Sequence, residues 1–392
     1  MKEQTQTVDT AARSEYASEA ATFRHGFRRY LRDLGDADQW RSARFGNAES
    51  VFEHDADRMY RLYADGWSRF GWPEWAGGFG GTQEHRMAYF DELTRARLPQ
   101  PLQHQSLERF LPTLIEHAPD LAAVYLPQYL RGTEWWSTNA ADWPACGDPT
   151  TLAISALAAG RDNVILRGPQ TWSYIGPNPT QLMLLAKTEH GAASMFLVSA
   201  AAPGSAIRRV PAAGGRPDIV EVTVNHLRVA GSRVIGDVGA GLSVMQRISL
   251  APRGLGCYAD LSKLLFDLGL LREAMATHGS SQGQRQRFAQ VYVDVVSAQA
   301  LASETIRAEA PQLPGGADVE TILLRQVRQR VSDLILDVGR SHIIRGTNAG
   351  GESLGSARAD WWYSRAADAA HPARRQPHVG LDGHSSRKVQ QP

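Results

Sequence analysis

The chain has 392 residues, 43% apolar and 21% charged, with a formal net charge of +1. That is enough apolar chain for one large domain or several subdomains, and too little basic charge for a nucleic-acid partner held mainly by its phosphates. Only Cys146 and Cys257 are present, which excludes a disulfide framework and a metal site built from cysteines.

Residues 1–10 lack the apolar core of a signal peptide, and no stretch approaches the ~18 apolar residues of a membrane span. The expectation is a cytoplasmic protein with no membrane or nucleic-acid partner and no metal. Over residues 11–34 and 51–70 apolar side chains recur every three or four positions, which predicts amphipathic helices. Residues 71–81 then gather glycines around Pro73, with Trp72, Trp75 and Phe79 to pin the turn to a core. Residues 84–96 read as a helix stopped by Pro99 and Pro101, and residues 112–130 as another. From Trp135 to Gly236 the texture changes to short apolar runs: 151–157, 163–166, 181–186, 194–198 and, as the last strand, 221–224. Most are bounded by Gly, Pro, Asn or Asp, the pattern of a β-domain. The 3.6-residue period returns over 242–276, 285–308 and 319–344, with a loop at 311–316. The tail from Pro372 has the composition of a fraying end. The expected division is helical over 1–132, β over 133–236, a helical bundle over 237–370 and a flexible tail over 371–392.

Residues 71–81, Gly-Trp-Pro-Glu-Trp-Ala-Gly-Gly-Phe-Gly-Gly, resemble the glycine-rich turn of the acyl-CoA dehydrogenase family. The resemblance implies a mainly α fold with a β-domain insert: an N-terminal helical domain, a middle β-barrel and a C-terminal four-helix bundle. It also implies FAD as cofactor and an acyl thioester, on coenzyme A or a carrier protein, as substrate. Residues 131–149 resemble the family loop that lies over the flavin and the thioester. Asp142 takes its Glu-Pro place, implying a cofactor contact, and Asp148 its Ser-Asp place, implying a substrate contact. Residues 167–174 resemble the segment whose tryptophan packs on the flavin ring. Trp172 would be that wall, with Ser173 or Tyr174 offering a hydroxyl to the ring edge. Arg285-Gln286-Arg287-Phe288 resembles the element whose arginine reaches the FAD diphosphate of a neighbouring subunit. Gly346 and Thr347 match a turn that touches FAD, and Arg253 matches an arginine beside the substrate. Plainer readings stay open for each: a tight loop, an aromatic-rich loop, a core tryptophan, a solvated basic helix start.

The family's catalytic glutamate is missing. Its two positions hold Pro252 and Arg345, and neither can take the α-proton that dehydrogenation requires. Weak substitutes are Asp260 and Glu352, each more simply read as a surface acid. His371 faintly resembles the ending of flavin-dependent monooxygenases on this fold, or is a tail histidine. Three functions follow. The first is an acyl-CoA dehydrogenase-like oxidoreductase, active as a homodimer or homotetramer or as the base-lacking half of a heterotetramer with a related subunit. The second is a monooxygenase on the same fold. The third is a non-redox or structural subunit.

Overall fold

A computed structural model describes residues 19–43, 48–138, 152–160, 162–174, 179–210, 219–250, 254–308 and 316–346. The described chain runs helical, then β, then helical. The first part holds α1 (19–32), α2 (Ala37–Ala43), α3 (Ala48–Ala64), α4 (Gln83–Arg95), α5 (His104–His117) and α6 (Pro119–Leu130). The strands follow: β1 (Trp136–Thr138), β2 (Ser155–Ala158), β3 (Asn163–Tyr174), β4 (Gln181–Thr188), β5 (Ala193–Ser199), β6 (Ser205–Val210), β7 (Ile219–Ala230) and β8 (Val234–Ile235). Helices α7 (Gly241–Leu250), α8 (Leu255–His278), α9 (Gln282–Arg307) and α10 (Gly316–Gly346) complete it. This is the mainly α fold with a β insert that the sequence predicts.

Several predicted boundaries move, each for a local reason. The predicted helix over 51–70 ends at Ala64, because Gly66 takes a left-handed φ of 85° and starts a short 3-10 turn at Trp67. The predicted helix over 112–130 is two helices. Ala118 leaves the helical region at φ −151°, and Pro119, with no amide proton to satisfy, seats itself at the first position of α6. The single run predicted over 242–276 breaks into α7 and α8, with Gly254 at φ 57° heading the second. Residues 221–224 belong to β7 but not to the last strand, since β8 adds antiparallel to β5.

The eight strands form one sheet in the order β6-β7-β3-β1-β4-β5-β8, with β2 bridging β3 and β4. Strand β4 shows why its sequence reads as a continuous apolar run. Met183 and Leu185 enter a core shared with α5, α6 and α7, while Leu182, Leu184 and Ala186 enter a second core with Val222, Val224 and Leu227 of β7. A strand buried on both faces has no polar alternate positions to show. A third core joins α1 and α4 to α8, α9 and α10. Among the described residues no helix is long and apolar enough to cross a membrane.

The glycine-rich turn is a scaffold element. Gly71 donates to the Gly80 carbonyl at 2.7 Å and Gly80 to that of Trp72 at 2.9 Å. A Cβ at Gly78 would sit 2.1 Å from the Trp72 carbonyl oxygen, so glycine is required there. Of the three aromatics expected to pin it, only Trp72 is buried; Trp75 and Phe79 are exposed. Arg86 stacks over the Trp72 ring at 3.7 Å and forms a buried ion pair with Glu108 of α5. Burial pulls the Arg86 guanidinium down to about 9. The turn is therefore fastened to α4 and α5 through one tryptophan and one charge pair.

Candidate functional site

Strand β3 carries the central candidates. Trp172 stands opposite Glu221 in the β3–β7 ladder, and Ser173 opposite Val220; the side chains of Trp172 and Ser173 lie outside the described residues. The ladder slips register on both sides of Gly168, between Leu166 and Thr171. Gly168 has a steric reason: a Cβ there would lie 2.7 Å from the Ala153 carbonyl and 2.8 Å from Ile154 Cα. Bulges re-aim the side chains that follow them. Here they precede the residues that the family resemblance assigns to the flavin.

Glu221 is what the sequence reading missed at this place. It is 4% exposed and lies between Arg208 of β6 on one side and Trp172 of β3 on the other. Arg208 donates to its Oε2, while Oε1 is buried with no hydrogen-bond partner among the described residues. A buried carboxylate with one oxygen unpaired is costly, and the oxygen is a ready acceptor for an N–H or O–H. The signal was in the sequence, as an acid between Val220 and Val222 in a strand.

Upstream, Glu134 anchors the entrance to the 139–150 segment. Its buried carboxylate accepts from Trp136 Nε1 at 2.7 Å and from Thr180 Oγ1 at 2.6 Å, and Thr180 Oγ1 in turn accepts from the Trp135 amide at 3.0 Å. The anchor ties β1 to the start of β4 just before Asp142 and Asp148, which lie outside the described residues. Pro252, Arg253, Thr347, Glu352 and His371 also lie outside them. Arg345 and Gly346 end α10, and the Arg345 side chain is outside as well.

Two candidates can be placed. Arg285 is exposed near the start of α9, one residue past a capping box made by Ser281 and Gln284, and donates to the Ser280 carbonyl at 2.5 Å. Asp260 lies on α8, past the break that follows α7, so no continuous helix links it to Pro252. Its carboxylate is taken by Arg328 of α10 at 2.7 Å. The guanidinium occupies one face of the acid. The structure pairs Asp260 with α10 and the Trp172 backbone with β7.

No family model matches the sequence. Among curated proteins, the acyl-CoA dehydrogenase IpdE1 of Mycobacterium tuberculosis is 26% identical over 301 residues, 75% of this chain and 78% of that protein. Over three quarters of its length the chain is similar to proteins named acyl-CoA dehydrogenase. IpdE1 of Mycolicibacterium smegmatis is 25% identical over 310 residues, with the same coverage. Solved structures agree on the fold. The Tcur3481-Tcur3483 steroid ACAD matches at a TM-score of 0.64 and 20% identity, over 90% of this chain and 92% of that one. The ChsE4-ChsE5 complex from Mycobacterium tuberculosis matches at 0.64 and 20%, over 89% and 91%. The likeness to proteins named acyl-CoA dehydrogenase supports a flavoprotein oxidoreductase, with FAD as the implied cofactor.

Proposed function

We propose that this acyl-CoA dehydrogenase-like chain binds FAD against β3 and acts on an acyl thioester as the base-lacking subunit of a heteromeric enzyme. The observation that carries the last point is the missing acid. Pro252 and Arg345 hold the two family positions, and Asp260, a described substitute, is engaged by Arg328. Two matched structures bear names that join two chains, Tcur3481-Tcur3483 and ChsE4-ChsE5, which supports a partner that supplies the base. The word steroid in the first favours a bulky, steroid-linked acyl group as the substrate class.

The residues fit the cofactor in one respect that the structure itself offers: the orphaned Oε1 of Glu221, buried opposite Trp172, can accept a donor from a bound flavin. In this reading Trp172 walls the ring and Ser173 hydrogen-bonds its edge. Arg285, Gly346, Thr347 and Asp142 complete the cofactor contacts, and Arg253 and Asp148 hold the substrate. When bound, FAD supplies the acceptor for the hydride of α,β-dehydrogenation. The chain's own residues bind and orient; none of the placed ones takes the α-proton. The division at residues 132, 236 and 370 belongs to the same proposal.

The test is the absorption spectrum of the purified chain, then anaerobic titration with saturated acyl-CoA. The chain should bind FAD yet leave it oxidised when alone, because loss of a general base commonly costs ~10²–10⁴ in rate. Arg345→Glu or Pro252→Glu should restore part of the bleaching. A chain that stays colourless with added FAD supports the non-redox subunit and defeats the proposal. Fast bleaching by the unaltered chain alone would show that it carries its own base.

A further inference from the structure

The glycine-rich turn closes on α4 at both of its ends. At the first, a Cβ on Gly71 would sit 2.6 Å from Arg86 Cγ and 2.9 Å from the Thr82 carbonyl oxygen; at the other, a Cβ on Gly81 would sit 2.9 Å from His85 Nδ1. Between them Thr82 caps the helix. Its hydroxyl accepts from the Glu84 amide at 3.3 Å, and its own amide donates to His85 Nδ1 at 3.1 Å. This is a capping box in which histidine stands where glutamate or glutamine is usual. The difference is chemical. A carboxylate or amide oxygen accepts throughout the neutral range, whereas an imidazole nitrogen accepts only while it carries no proton.

The ring is held for that task. His85 is buried, stacked on Phe70 at 5.8 Å and edge-on to Phe23 at 5.6 Å. A backbone N–H can only donate, so Nδ1 is bare and the proton of the neutral ring sits on Nε2. Burial pushes its pKa below the ordinary range, against the pull of Glu19 on α1, the Thr82 backbone and Glu84. Glu84 is itself engaged by Arg307 of α9 at 3.1 Å, which also pairs with Glu304. The acid beside the ring is thus already matched with a cation.

We propose that His85 is an acid-sensitive latch on the glycine-rich turn: a proton on Nδ1 sets donor against donor at Thr82, breaks the cap and lets residues 71–82 lift from α4. The turn can move as a unit, because its own bonds from Gly71 to Gly80 and from Gly80 to Trp72 cross its neck. Trp72 lies under Arg86, the residue after the latch, so releasing Thr82 loosens the point where α4 is fastened to α5. The latch is fully closed above about pH 6.5, where the unfolded ring also loses its proton, and it opens as the pH falls below that. His104, also buried, makes no such demand, since the Tyr89 hydroxyl beside its Nε2 can either donate or accept. The latch depends neither on the flavin nor on the missing acid.

Hydrogen exchange of the full chain, corrected for the intrinsic effect of pH, reads the opening at the Gly80 and Thr82 amides from about pH 7.5 down to about 5. Below about pH 6.5 their opening constant is expected to rise by up to ~10-fold per pH unit, as for one proton, while amides in the middle of α8 stay protected. His85→Gln keeps an oxygen acceptor at every pH and should flatten that rise. His104→Phe should leave it in place. An opening that does not change with pH, or that rises equally in His85→Gln, overturns the proposal. If His85→Gln fails to fold, His104→Phe decides: a rise that persists there supports the latch, and a rise that disappears assigns the proton to His104 and overturns it.

Discussion

The helical region and the sheet each set a tryptophan, an arginine and a glutamate together, and the two groupings end differently. In the first, Trp72, Arg86 and Glu108, both charges are buried and face each other beneath the ring. In the second, Trp172 and Arg208 flank Glu221 in the ladder, but Arg208 is 66% exposed while Glu221 is 4% exposed, and one carboxylate oxygen has no partner among the described residues. Charge that is closed on itself fastens a scaffold. Charge left half-open beside a candidate cofactor position is capacity for a ligand.

Breaking the closed group should have the largest effect. Glu108→Ala leaves the Arg86 cation buried beside Trp72 without its counterion, and such a change costs about 3–5 kcal/mol. Glu221→Ala leaves only Arg208, a solvent-facing cation that water can solvate, and should cost clearly less. Urea unfolding of both variants makes the comparison, and equal losses would show that the two groups are not different in kind.

Next in size is an acid limb that belongs to the helical region. Burial holds His104 neutral, its pKa pushed down to about 3, with Nε2 3.3 Å from the Tyr89 hydroxyl and its ring stacked on Tyr89. Glu92 points the same way. Burial favours its neutral form, but the ion pairs with Arg28 and Arg24 outweigh that and lower its pKa. Below about pH 6.5 the unfolded chain takes up the histidine proton and the folded chain does not. The stability is thus complete above that pH and is lost as the pH falls toward 3, at about 1.4 kcal/mol per pH unit for one proton. His104→Phe should lower stability at neutral pH, since Tyr89 loses a partner, yet flatten the slope between pH 6.5 and 4. An unchanged slope would place the proton uptake elsewhere.

The fold was largely legible because its signals are periodic. Apolar spacing gave α9 and α10 nearly to their ends, and the short runs around 181–186 and 194–198 are the centres of β4 and β5. What failed to show were breaks set by one backbone angle, at Gly66, Ala118 and Gly254, and the pairs β1 and β6, which are too short or too polar to carry a pattern. The candidate site was legible only as motifs. Trp172 and Arg285 came from resemblance, whereas Glu221 and Glu134 are buried acids whose partners, Arg208 and Thr180, arrive through strand pairing. No spacing along the chain reports that.

A smaller effect is expected where β3 and the backbone before β2 approach each other. Gly168→Ala drives a methyl group into the Ala153 carbonyl and the Ile154 Cα, both backbone atoms that cannot rotate away. Overpacking of this kind costs about 1–3 kcal/mol. The bulge should shift as well, so flavin content per chain is expected to fall with stability. Normal flavin content in a destabilised variant would separate the bulge from the cofactor and leave it a purely structural device.

The smallest effect on stability, and the sharpest on the comparison, comes from the half-open group. Glu221→Gln keeps an oxygen acceptor in place while removing the buried charge, so the fold should hold and flavin occupancy should stay near that of the unaltered chain. Glu221→Ala removes the acceptor, and occupancy should drop. Trp172→Ala gives the scale, since an aromatic wall contributes about 0.5–1.5 kcal/mol beyond its burial, or roughly 2- to 10-fold in occupancy. Occupancy is read from the ratio of flavin to protein absorbance after dialysis against a fixed FAD concentration. If alanine at 221 binds flavin as well as glutamate does while Trp172→Ala does not, the orphaned oxygen has no cofactor role. Glu221 would then be a strained structural acid held by Arg208, and the contrast with Glu108 would be one of exposure alone.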